Sequence, residues 1–96
     1  MVVEFLTFTV AVADQGTWLE VEERTWSRYL EQQPGFVSKQ VWVDRDRADQ
    51  IHCVITWADQ ASWDAIPDAD VERVDAEMGE WFRPCTMRSF DVVRTR

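Results

Sequence analysis

Three carboxylates in this chain fall on stripes that are otherwise apolar, and any chemistry would start from them. Glu4 shares a strand face with Leu6 and Phe8. Glu22 falls near the middle of a helical stripe between Trp18, Trp26 and Tyr29, and Asp75 shares a second stripe with Val71, Val74, Met78 and Phe82. A carboxylate facing an apolar interior must be paired, hydrogen-bonded or kept protonated with a raised pKa. A raised pKa suits a general base, and the same group suits a cationic or hydroxylated ligand. Glu22 and Glu4 are therefore the expected catalytic residues, with Asp75 converging on the same space. The structural alternatives are that Glu4 reaches water or Arg88 from a strand end, and that Glu22 snorkels at a helix edge. Two carboxylates could hold a metal, but no suitable histidine accompanies them, so none is expected. Cys53 and Cys85 lack CxxC spacing, which indicates neither a zinc site nor a disulfide framework.

The elements that must position these groups follow from periodicity. Residues 2–10 alternate, with Glu4, Leu6, Phe8 and Val10 on one face and Val3, Phe5, Thr7 and Thr9 on the other. Asp14 is expected to cap a helix running to about Gln32, which Pro34-Gly35 ends. A strand over 36–43, a charged loop over 44–50 and a strand over 51–57 come next. Asp59 is a good N-cap for a short helix that runs from about Gln60 to Ile66-Pro67. Asp68 or Asp70 opens another helix reaching about Phe82, and Thr86 to Arg94 reads as a last strand. The order β-α-β-β-α-β gives an α+β, ferredoxin-like fold: a four-stranded antiparallel sheet with helices on one face, in one domain over 1–96. Period two puts Cys53, Ile55 and Trp57 on one face of the third strand and sends His52, Val54 and Thr56 to the other. Val3, Phe5, Val54 and Thr56 make the second face too apolar to leave wet, so a homodimer through the open sheet face is expected.

Composition limits the partners. The formal charge of −8 argues against nucleic acid and against an anionic membrane surface. No apolar run approaches the roughly 20 residues of a bilayer span. The opening Met1-Val2-Val3-Glu4 lacks a basic leader, and reduced thiols make the cytoplasm the expected location. Six tryptophans among 96 residues are enough to build much of a core or to line an aromatic cavity.

The opening strand Val2-Val3-Glu4-Phe5-Leu6, the corner Gln33-Pro34-Gly35-Phe36, the strand end Ile55-Thr56-Trp57 and the segment Gln60-Ala61-Ser62-Trp63-Asp64-Ala65-Ile66-Pro67 carry a family resemblance. In these the chain resembles dimeric α/β-barrel proteins of the antibiotic-biosynthesis-monooxygenase type, nearest to short bacterial and cyanobacterial members. The resemblance covers nearly the whole length. It implies a substrate lying between helices and sheet, with Trp57 and Trp63 as walls. It also implies a cofactor-free monooxygenase acting on a small aromatic or polyketide-like ligand. Cys53 stands where the quinone-forming enzymes carry a polar side chain, and their arginine has no match. The haem-degrading branch needs a histidine on the second long helix, where this chain reads Val74-Asp75-Ala76-Glu77, so no haem is expected. Trp57, Trp63, Trp26, Tyr29, Cys53 and Asp75 are the expected substrate-binding residues. A non-catalytic binding or assembly module and a proton-transfer isomerase are the alternatives.

Overall fold

The buried strand Gln50–Trp57 organises the molecule. In it Ile51, Cys53, Ile55 and Trp57 are buried while their neighbours are only half-buried, so one face is covered and the other is not. The computed structural model describes all 96 residues. In chain order they form β1 (Val2–Thr9), α1 (Gln15–Glu22), α2 (Arg28–Glu31), β2 (Phe36–Val43), β3 (Gln50–Trp57), α3 (Gln60–Asp64), α4 (Asp68–Glu77) and β4 (Cys85–Asp91). The four strands make one open antiparallel sheet in the order β2-β3-β1-β4. This is the ferredoxin-like arrangement, with helices on one face. No helix is long and apolar enough to cross a membrane.

Two buried clusters hold helices to sheet. Val10, Trp18, Val21, Ile51, Cys53 and Met78 form one, and Leu30, Ile55 and Trp57 form the other. Trp18 and Trp57 are fully buried. Each ring removes roughly 200 Å² from water, on the order of 5 kcal/mol at about 25 cal/mol per Å² before entropy is counted.

Several expected boundaries shift. The first helix is not uniform: a 3₁₀ turn at Val12–Asp14 leads into α1, and a π-helical turn at Glu23–Ser27 joins α1 to α2. Asp14 does not cap it, because its backbone is already helical and its side chain accepts no cap hydrogen bond. The second long helix stops at Glu77 rather than near Phe82. Gly79 takes a positive φ of 59° and a 3₁₀ turn follows at Gly79–Trp81. The last strand ends at Asp91, three residues short of the expected Arg94. Asp59 caps α3 as expected, accepting from the Ser62 N–H at 2.8 Å.

The corner between α2 and β2 depends on Gly35. Its φ is +83°, its carbonyl accepts from the Ala58 N–H at 2.8 Å, and a Cβ there would collide with the Ser62 side chain. Ser62 cannot easily turn away, since its hydroxyl donates to Asp59 at 2.7 Å. Gly35→Ala should therefore lower stability by more than about 1 kcal/mol, read from the denaturant midpoint. A Ser62→Gly background should recover part of that loss.

The outer sheet face carries Phe5 stacked on His52, with ring centroids 5.0 Å apart, and edge contacts from Trp42 and Phe90 at 6.1 and 6.0 Å. Thr7 and the His52 Nδ1 are 2.9 Å apart on the same face. The only histidine thus lies away from the helices, as strand parity requires.

Candidate active site

Between helices and sheet lies a cavity of about 610 Å³, and 15 of its 22 lining residues are hydrophobic. Each strand contributes through its inward face. From β1 come Glu4, Leu6 and Phe8, and from β3 come Cys53, Ile55 and Trp57. Trp18, Glu22, Trp26 and Leu30 close it from the first helical run, Trp63 and Ile66 from α3 and its exit, and Asp75 and Met78 from α4 and its end. The three carboxylates singled out in the sequence do face one space.

Their states differ. Glu22 is buried and forms an ion pair with Lys39 of β2, whose side chain is 8% exposed. The Ser27 hydroxyl donates to both Glu22 oxygens, at 3.0 and 2.9 Å, and the Lys39 ammonium donates to the Ser27 Oγ at 2.8 Å. The π-helical turn makes this possible. Its i→i+5 spacing returns Ser27 to the face of Glu22, where an α-helix would carry it away. Glu22 is thus one half of a buried, hydrogen-bonded ion pair and does not snorkel at a helix edge.

Glu4, half-buried, is the less satisfied of the two glutamates. It accepts one hydrogen bond, from the Trp57 indole N–H at 3.1 Å. Burial lifts its pKa above the ordinary carboxylate value, against opposing contributions from the Trp57 bond and the Lys39 charge. Lys39, Ile55 and Glu4 stand opposite one another across β2, β3 and β1, so the two charged groups share one inward row. Arg88 is not its partner, because it pairs with Phe5 in register and its guanidinium lies over Phe90.

The remaining candidates sort by contact. Asp75 accepts from the Trp26 indole N–H at 2.9 Å, which fixes both in the cavity wall. Burial pushes the Cys53 thiol up to about 12, so it is a small apolar wall residue and no nucleophile. Trp57 is fully buried and Trp63 half-buried, and both line the cavity. Tyr29 does not line it. Its ring packs edge-on against Trp26 at 5.8 Å and its hydroxyl donates to Asp70; burial first, and then this bond, raise its pKa to about 12. No three His, Cys, Asp or Glu side chains gather in a way that could hold a metal ion.

Lys39, Arg83, Asp64 and Asp68 also line the cavity and were not singled out in the sequence. Alternation counted from Phe36 sends Lys39 to the outer face. A register shift between Phe36 and Ser38 reverses that, pairing Phe36 with Trp57 and Lys39 with Ile55. Trp18 also lines the space, and its buried indole N–H has no hydrogen-bond partner.

No protein-family model matches the chain, and no curated protein does. Solved structures share its fold. SnoaB from Streptomyces nogalater, a cofactor-independent oxygenase, superposes with a TM-score of 0.73 at 20% identity, over 98% of this chain and 94% of that one. The monooxygenase from the gene ActVA-Orf6 of Streptomyces coelicolor, solved with nanaomycin D, gives 0.80 at 14% identity, over 99% and 89%. A conserved protein from Methanosarcina mazei Go1 gives 0.71 at 11% identity, over 94% and 91%. The chain therefore has the ferredoxin-like fold of antibiotic biosynthesis monooxygenases. Likeness at this identity reaches the fold, and the activity has to be argued from the cavity.

Proposed function

We propose that the protein is a cofactor-independent monooxygenase that oxidises a hydroxylated aromatic or polyketide-like compound, with Glu4 as the general base. The observation that supports this most directly is the position of Glu4: a desolvated carboxylate with a single hydrogen bond, facing an apolar cavity large enough for a multi-ring ligand. Removing a proton from an anthrone-type CH₂ gives an electron-rich enolate that oxygen attacks directly. One oxygen atom becomes the new carbonyl and the other leaves as water, so the two hydrogens of the CH₂ account for the water formed. Glu4 takes the first proton. Lys39, in the same inward row, stays paired with Glu22 and only partly offsets the charge that develops on the enolate. Trp57 and Trp63 hold the ring plane.

Oxygen-electrode traces with anthrone should show protein-dependent uptake and stoichiometric quinone. A trace no steeper than autoxidation would end the reading for this substrate class. Solvent deuterium entering the substrate without oxygen uptake would move the assignment to a proton-transfer isomerase.

We also propose that two copies pair through the outer sheet face. Trp42 and Phe90 are 46% and 42% exposed there beside Phe5, leaving an aromatic surface that nothing in one chain covers. Sedimentation should give twice the mass of one chain, and Trp42→Glu should halve it.

A further inference from the structure

The cavity is apolar in area but negative in charge. Glu4, Glu22, Asp64, Asp68 and Asp75 line it against Lys39 and Arg83, a surplus of three negative charges. Both cations are already engaged. Lys39 is held by Glu22 and Ser27. The Arg83 guanidinium donates to the carbonyls of Glu80 and Phe82, each at 2.9 Å, and lies over the Trp81 ring at 5.7 Å. An entering carboxylate would meet no free cation and several like charges in a partly desolvated space, where repulsion is poorly screened.

The acidic groups differ in how far they are satisfied. Asp75 is bonded to Trp26 and Asp64 accepts from Gln60 at 2.8 Å. Asp68, exposed on the first turn of α4, makes no side-chain hydrogen bond or ion pair. An ammonium group could approach Asp64 and Asp68 without breaking a buried contact. A neutral ring system could use the apolar wall without adding charge.

We propose that the cavity selects its occupants by charge, taking flat aromatic molecules that are neutral or carry an ammonium group and rejecting aromatic carboxylates. This deepens the oxygenase reading by naming its substrate class. It rests on that reading's assignment of the cavity as the binding site, and not on any step of the chemistry.

Three probes of one shape test it by titration calorimetry: 2-naphthol, 2-naphthylmethylammonium and 2-naphthoate. At low salt the first two should bind at least about tenfold more tightly than the carboxylate. The gap should close to about threefold or less in Asp64→Asn/Asp68→Asn, and also in about 0.5 M NaCl, where charge interactions fade within a few ångströms. Naphthoate binding as tightly as naphthol overturns the proposal. So does a gap that neither salt nor the double substitution moves, since shape would then be the cause. Binding of none of the three overturns it too. Absence of oxygen uptake with anthrone leaves this ordering untouched, so the two readings fail separately.

Discussion

Lys39→Met should destabilise the protein by about 3–5 kcal/mol, because it leaves the Glu22 carboxylate buried without its counter-charge. The side chains of Glu22 and Lys39 are 5% and 8% exposed, so water cannot replace the lost ammonium without opening the helix–sheet packing. Ser27 donates one proton and cannot satisfy a full carboxylate alone. For a domain whose whole stability is about 5–15 kcal/mol, that loss brings unfolding close to ordinary temperature. The double variant Glu22→Leu/Lys39→Met supplies the control. Removing both charges together should return stability to within about 1–2 kcal/mol of the parent, since apolar replacements of buried pairs are commonly neutral or better. Equal destabilisation in the single and double variants would mean that the pair's packing matters and its charge does not.

Glu4→Gln should lower kcat/KM by about 10²–10⁴-fold while leaving the fold intact. The amide oxygen can still accept from the Trp57 N–H, so geometry is kept while the base is removed. A variant that turns over at the parental rate would dismiss Glu4 as the base. Glu22→Gln differs in kind, since it breaks the Lys39 pair and should act first on stability. The raised pKa of Glu4 also fixes two signs. The rate should climb with pH as the carboxyl ionises. Stability should move the other way, because the folded state holds this proton more tightly than the unfolded chain does. It should fall as pH rises from the ordinary carboxylate value of 4.5 through the raised value, and level off above it. Glu4→Gln removes that fall, so its stability relative to the parent should be greater at about pH 8 than at about pH 4.

How much of this was legible in the sequence depended on whether a local pattern stayed regular. Strand parity on β1 and β3 is unbroken, so the inward set Glu4, Cys53, Ile55 and Trp57 and the outward His52 could be read directly. On β2 a single irregularity between Phe36 and Ser38 inverts the count, and the cavity's buried cation disappears from view. The π-helical turn is hidden for a related reason. One widened turn barely disturbs a 3.6-residue stripe, yet it decides that Ser27 meets Glu22. Tyr29 sits on the same stripe as Trp26, and periodicity alone could not tell that Asp70 would draw its hydroxyl away from the cavity. Near Gly79 the apolar spacing continues while the backbone does not, so the helix looked longer than it is.

The distribution of tryptophans has a practical consequence. Trp18, Trp26, Trp57 and Trp63 wall the cavity, Trp42 stands on the outer sheet face, and Trp81 lies beneath Arg83. The molecule thus carries its own fluorophores at three separate locations. With Trp42 and Trp81 replaced by phenylalanine, the remaining emission would report on what enters the interior. A protein keeping Trp42 alone would report on whether two chains have met.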